Sequence, residues 1–215
     1  MSSEKTTLNV IQHHSAEGPG AIAHWAQARQ LSLTVFRAYL GELPPMSAEP
    51  VVLLGGPYES NAGPAWLEAE RQWLAGILER GAPVFAICLG AQLLALGLGG
   101  NIRRMDSPET GWTTVTFTDG QALSMLEWHE DAINLPPQAQ CLARSDRCEQ
   151  QMYSVGPTRV GLQFHPEWNA ESVATLNEFF AEESPLPRGQ PDSAAYAKVF
   201  AWLQVTLDAW WEACV

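Results

Sequence analysis

Pro83-Val84-Phe85-Ala86-Ile87-Cys88-Leu89-Gly90-Ala91-Gln92 is the stretch from which the rest of this chain is read. Its four apolar residues run straight into a cysteine, and a short apolar run bounded by Pro and Gly reads as a buried strand. Residues 91–98 are rich in Ala and Leu and read as a helix. Cys88 therefore falls on the sharp turn between a central strand and a helix. Such a turn pushes the side chain out at the carboxyl edge of the sheet. It also sets the sulfur at a helix N-terminus, where the dipole favours a thiolate. This is a nucleophile elbow with sulfur in place of oxygen. A cysteine after an apolar strand is more usually a small buried hydrophobe, so the decapeptide alone fixes local structure and leaves the chemistry open.

A second stretch supplies what a nucleophile needs. Arg159-Val160-Gly161-Leu162-Gln163-Phe164-His165-Pro166-Glu167 is another apolar strand, and it ends in a histidine with a carboxylate two residues on. A cysteine nucleophile needs a base to take its proton, and the base needs an orienting partner. Cys88, His165 and Glu167 fill those three roles, each at the end of an expected strand. A third strand, 51–54 (Val-Val-Leu-Leu), is continuously apolar, as strands buried on both faces are. It ends in Gly55-Gly56-Pro57, where glycine permits close backbone approach and an unusual φ. The N–H of Gly56 is thus a candidate oxyanion donor, although an ordinary tight turn has the same composition.

Further outward, strands are expected at 7–12 and 31–37, and helices at 21–30 and 64–80. Gly81 stops the latter helix and Pro83 opens the next strand. Strands alternating with helices imply a mainly parallel sheet with right-handed crossovers, whose ligands bind at the strands' carboxyl ends. The adjacent His13 and His14 have no acidic or thiol cluster beside them and should point apart, so no metal site is expected. Short strands are expected at 101–104, 113–118, 121–123, 142–144 and 150–153, with a hairpin signal at Asp119-Gly120. They suggest a small antiparallel flap or second sheet over the site. A helix at 170–183, a Pro-rich loop at 184–191 and a last helix at 193–214 complete the chain. In the last helix Tyr196, Val199, Phe200, Trp202, Leu203, Leu207, Trp210 and Trp211 recur at three- and four-residue spacing. That stripe suits packing on the chain's own sheet; a homodimer face or partner groove is the alternative use.

Composition sets the bounds. A chain of 215 residues is expected to form one domain, 1–215, with a substantial core. The net charge of −12 argues against nucleic acid or an anionic membrane as partner. Four cysteines without a CxxC pair, and no visible signal peptide, point to a reducing cytoplasm. No apolar run approaches the roughly 20 residues that span a bilayer.

With Gly55-Gly56-Pro57, Cys88-Leu89-Gly90-Ala91-Gln92 and His165-Pro166-Glu167 in this order, the chain resembles a class I glutamine amidotransferase domain. It is most similar to the glutaminase domain of GMP synthase and its free-standing relatives. Glu109-Thr110-Gly111-Trp112, Trp128-His129-Glu130-Asp131 and Leu142-Ala143-Arg144-Ser145 add to the likeness. The resemblance implies a flavodoxin-like α/β fold. It implies that Cys88 attacks a glutamine side-chain amide to form a γ-glutamyl thioester, that His165 is the base, and that Glu167 orients it. By the same likeness the N–H groups of Gly56 and Leu89 form the oxyanion hole. Gln92 matches the position that holds the substrate's amino-acid end, and Trp128-His129-Glu130 the loop that meets the glutamine carboxylate and amine. No metal or organic cofactor is implied. The partners implied are glutamine or another γ-glutamyl compound and a separate synthase subunit, since no ATP-pyrophosphatase segment or Walker-type loop follows.

Two departures matter. Ala86 stands where relatives often have Gly, and Glu130 where they often read His-Gly-Asp; the latter adds a side chain at a substrate-contacting position. Two classes of function follow from these residues. One is a cysteine-dependent amidohydrolase cleaving a γ-glutamyl amide. The other is a non-catalytic binding or regulatory subunit that keeps the fold. A peptidase or chaperone of the related fold, in which histidine directly follows the nucleophile, is disfavoured by Leu89.

Overall fold

A computed structural model describes residues 7–189 and 192–214. Residues 190 and 191, at the end of the expected Pro-rich loop, lie outside the described residues. The first elements are β1 (Thr7–Gln12), α1 (Gly20–Ala28), β2 (Ser32–Arg37), β3 (Val51–Leu53), α2 (Ala65–Glu79), β4 (Val84–Ile87) and α3 (Leu89–Gly97). They are followed by β5 (Asn101–Phe117), β6 (Ala122–Asn134), β7 (Gln140–Arg144), β8 (Met152–Val155), β9 (Arg159–Leu162), α4 (Ala170–Phe180) and α5 (Ser193–Cys214). Among the described residues, nine strands form one sheet in the order β2-β1-β3-β4-β9-β8-β7-β5-β6. The run β2-β1-β3-β4-β9 is parallel, and the run from β9 through β8, β7 and β5 to β6 is antiparallel.

The mixed sheet corrects one expectation. The antiparallel strands are no separate flap; they continue the central sheet. β5 is a single strand of 17 residues and β6 one of 13, where short pieces were expected. Asp106, Pro108 and Gly111 hide β5 in the sequence. The structure tolerates Pro108 because the pairing register shifts between Arg104 and Glu109, and proline's missing N–H is no loss at a bulge. Trp128, His129 and Glu130 consequently lie in a strand, β6, and not in a loop.

Alternation along the parallel strands builds two cores. Val52, Leu54, Phe85 and Ile87 face one side, where α1 and α5 cover them with Ile22, Trp25, Val199, Leu203, Leu207 and Trp210. Val51, Leu53, Val84 and Ala86 face the other, under α2 and α3 with Leu67, Leu74, Ile77, Leu93 and Leu94. Strands buried on both faces explain the continuous apolar runs. The aromatic stripe of α5 is used inside the chain: Trp210 is buried beside Phe85, with ring centroids 5.6 Å apart. Among the described residues, no helix is long and apolar enough to cross a membrane.

Candidate active site

Cys88 follows β4 directly, with φ 48° and ψ −108°, a conformation that costs a non-glycine residue energy and that surrounding structure must enforce. Two backbone bonds do so. The Cys88 N–H donates to the Leu162 carbonyl at 2.7 Å, and the Gly90 N–H to the Leu54 carbonyl at 3.1 Å. Gly90 is required by contact: a Cβ there would lie 2.6 Å from both the Cβ and the carbonyl oxygen of Leu53. The helix begins at Leu89, two residues earlier than its Ala/Leu composition suggests. The Leu89 N–H thereby becomes one of the helix's first, unpartnered donors beside the sulfur.

Gly55 and Gly56 are small for reasons of space. Neither is among the residues with left-handed φ, so of the two reasons expected there the unusual φ falls away and the close approach remains. A Cβ on Gly55 would lie 2.7 Å from His165 Cε1 and 2.8 Å from Glu17 Oε2, and one on Gly56 would lie 2.7 Å from His13 Cβ. His13, considered above only as a metal ligand, braces this turn. Its Nδ1 meets the Gly55 carbonyl at 3.0 Å and its Nε2 meets Glu70 Oε1 at 2.8 Å. A carbonyl and a carboxylate both accept, so both ring nitrogens donate. Burial opposes the charge, but Glu70 outweighs it and raises the His13 pKa. His14 turns instead to Phe179, ring centroids 4.7 Å apart.

His165 sits three residues past the end of β9. Its Nδ1 is 2.8 Å from Glu167 Oε1, which leaves the other nitrogen for Cys88. The backbone of Glu167 is locked in turn: its carbonyl accepts the Ala21 N–H at 2.8 Å at the start of α1. Trp168 lies flat on the imidazole, with centroids 3.5 Å apart and planes 9° from parallel. Burial disfavours a charged ring, yet the Glu167 carboxylate and the Cys88 sulfur together push His165 up to about 10. An imidazolium is the partner a thiolate needs, and the indole face favours that cation. Gln163 Nε2 donates toward Cys88 Sγ at 3.8 Å, and the Trp128 carbonyl lies 3.9 Å from the sulfur.

These groups open onto a cavity of about 340 Å³. Cys88, His165, Gly56, Leu89, Gln92, Trp128, His129 and Glu130 all line it, whereas Glu167 stays buried behind His165. Glu17, Tyr58, Arg104, Trp168 and Phe180 line it as well and were not singled out from the sequence. Arg104 pairs with Glu130 and lies 3.6 Å from Asp131 at the rim. The tryptophan following His-Pro-Glu was the one legible clue to Trp168; nothing local marks Glu17 or Arg104.

Burial pushes the Glu17 carboxyl from its ordinary 4.5 to about 7; Glu167 adds to the shift, while His165 and His13 oppose it. The native state thus holds this proton more tightly than the unfolded chain. Glu17's contribution is most favourable below about pH 4.5 and is lost as pH rises to about 7. Glu17→Gln is therefore expected to be more stable than the parent by about 2–3 kcal/mol at pH 8, with the gap closing towards pH 4.5. Urea unfolding of both proteins across that range measures it. A gap independent of pH would refute the assignment.

Fold and site together define an α/β protein with a cysteine elbow backed by a histidine–glutamate pair at the carboxyl edge of its sheet. The family model for class-I glutamine amidotransferases matches residues 20–181, and the chain belongs to that family. It is 28% identical over 214 residues to the glutamine amidotransferase-like protein YfeJ of Salmonella typhimurium, covering 91% of this chain and 90% of that one. It is 39% identical over 137 residues to the glutamine-hydrolyzing GMP synthase of Aeropyrum pernix, a match covering 60% of this chain and 26% of that longer protein. The fold is shared with a crystal structure of a Methylobacillus flagellatus glutamine amidotransferase at TM-score 0.87 and 23% identity, covering 97% of this chain and 95% of the other. A Thermotoga maritima glutamine amidotransferase superposes at TM-score 0.83 and 25% identity, covering 99% of each chain.

Proposed function

We propose that the protein cleaves a γ-glutamyl amide through a thioester on Cys88. The observation that carries this is the placement of Cys88 and His165 on one cavity, with Glu167 holding the imidazole at 2.8 Å from behind and the sulfur set on a strained elbow. The thiolate attacks the side-chain carbonyl carbon, and the Gly56 and Leu89 N–H groups receive the charge that develops on its oxygen. Collapse breaks the C–N bond as His165 gives its proton to the departing nitrogen, releasing ammonia or an amine. Water then attacks the thioester with His165 as base, and the thiolate leaves as glutamate is freed. Glu167 keeps the imidazole oriented throughout.

At the amino-acid end, Gln92, Trp128, His129 and Glu130 are the groups we assign to substrate binding. Arg104 joins them as a cation for the α-carboxylate, while Glu130 offers an anion to the α-ammonium. Glutamine is the simplest substrate of this shape. Transfer of the released ammonia to a separate synthase subunit is the use suggested by likeness to GMP synthases, and the setting we infer is cytoplasmic.

A glutamine-like chloroketone tests the pocket and the nucleophile together. Mass spectrometry is expected to map a single adduct to Cys88. Cys141 is exposed, but burial of its sulfur raises its pKa; Cys148 is buried and likewise raised, and burial pushes Cys214 up to about 11. Absence of an adduct from a Cys88 that still reacts with a small alkylator would refute a glutamine-shaped site and favour the binding-subunit role.

A further inference from the structure

Beside the site, Glu109 on β5 and Glu127 and His129 on β6 form a buried cluster; the proposed reaction uses neither carboxylate, and His129, which also lines the cavity, turns both ring nitrogens away to this cluster and to Asp131. Glu109 pairs with His129, and Gly111 with Glu127, across the ladder, so the three side chains share one face of the sheet. His129 Nε2 lies 3.3 Å from Glu109 Oε2 and 3.2 Å from Glu127 Oε2, with each side chain at most 2% exposed. Neither oxygen lies where an Nε2–H could donate squarely: among the described residues Nε2 and both oxygens of Glu127 have no hydrogen-bond partner. The other ring nitrogen is committed, because Nδ1 meets the Asp131 carbonyl at 2.9 Å, and a carbonyl only accepts. A neutral His129 therefore aims its lone pair at two carboxylates.

We propose that Glu109, Glu127 and His129 bind a divalent cation of the zinc class. Two ligands each about 2.0 Å from a tetrahedral ion lie about 3.3 Å apart, which is the separation seen here. Imidazole and carboxylates are ordinary donors for such an ion, and an Nδ1–H anchored on a backbone carbonyl is the usual support for a histidine ligand. Glu109 is anchored as well: Oε1 accepts from Ser145 Oγ at 2.6 Å and Oε2 from Gln151 Nε2 at 2.8 Å. The second free oxygen of Glu127 can supply a fourth ligand atom. Charge favours the ion, since two buried carboxylates beside a neutral imidazole carry −2, and a dication cancels it. The competing occupant is a proton. Burial works against it, but Glu109 and Glu127 hold His129 well above its ordinary value, and this occupant leaves −1 buried.

The ion's place is structural. It joins β5 to β6 just past the register shift and pins Trp128, whose carbonyl faces Cys88. The test uses Cys88→Ala/Cys141→Ser protein, which removes the nucleophile and the exposed thiol as rival zinc ligands. After stripping with a chelator, calorimetric titration with Zn²⁺ is expected to give one equivalent. The melting temperature should rise by about 5 °C or more at hundred-fold excess over Kd. X-ray absorption should show nitrogen and oxygen ligands only, including one imidazole. Glu127→Gln and Glu109→Gln in that background should each weaken Zn²⁺ binding about 10- to 100-fold, while melting cooperatively without metal. No saturable binding, sulfur among the ligands, or unchanged affinity in folded variants would overturn the proposal and leave the proton as occupant.

Discussion

Cys88→Ala is expected to lower turnover of glutamine, or of whichever γ-glutamyl amide the protein accepts, by about 10⁴-fold or more while leaving the fold intact. The size follows from the step removed. Without the sulfur there is no thioester, and the oxyanion donors and the cavity act on an amide that only water can attack. The fold should survive because Cys88 makes few side-chain contacts of structural value: its sulfur has only weak contacts with Gln163 and the Trp128 carbonyl, at 3.8 and 3.9 Å. Alanine also avoids placing a larger side chain at the strained φ of 48°. Glu167→Gln separates this mechanism from a general disturbance of the pocket. The carboxylate orients His165 without reaching the cavity, so its loss should be about ten- to hundred-fold milder than loss of the nucleophile. Steady-state release of ammonia measures both. Residual turnover of Cys88→Ala within ten-fold of the parent would rule out the thioester, and a Glu167→Gln variant as inactive as Cys88→Ala would refute the orienting role.

The parts of this molecule that were legible in its sequence are those governed by short-range rules. β4, the elbow and α3 could be read because Val84–Ile87 is a buried strand on any register and Cys88 stands where it must turn. β1 and α5 fall within the residues their hydrophobic patterns mark, 7–12 and 193–214. Cys88, His165 and Glu167 could be paired in advance because each follows an apolar strand that a parallel sheet brings to the same edge. β5 was not legible, since its Asp106 and Pro108 are tolerated only by a register shift that depends on pairing with β6. Nor were the groups that tune the site. Trp168 on His165, Glu70 behind His13 and Glu17 beside Gly55 act across tertiary contacts with no local signature. Gly55 and Gly56 were marked as special for close approach and for an unusual φ; the first holds, since His165, Glu17 and His13 leave no room for a side chain, and the second does not, since φ is not left-handed.

The last helix offers the other large effect, on stability. Trp210→Ala is expected to cost about 3–5 kcal/mol, the usual range for deleting a buried tryptophan. Trp210 is 2% exposed and packs on Phe85 in β4, so truncation opens a cavity against the strand that carries Cys88. Its Nε1–H donates to the Thr158 carbonyl at 2.8 Å, and the same carbonyl accepts the Val84 N–H at 2.8 Å. One backbone oxygen thus ties α5 to the start of β4. The helix is also fastened to α1, where Trp25 Nε1 donates to Asp208 at 2.7 Å and Arg29 pairs with the same carboxylate. These ties make α5 part of the core that holds the elbow. Thermal unfolding should show a fall of about 6–20 °C, since each kcal/mol shifts a protein of this size by about 2–4 °C. Sedimentation of both proteins should give the same mass. A loss below about 1 kcal/mol, together with a change in oligomeric state, would mean that the aromatic stripe serves a partner and that the packing of α5 on its own sheet contributes little.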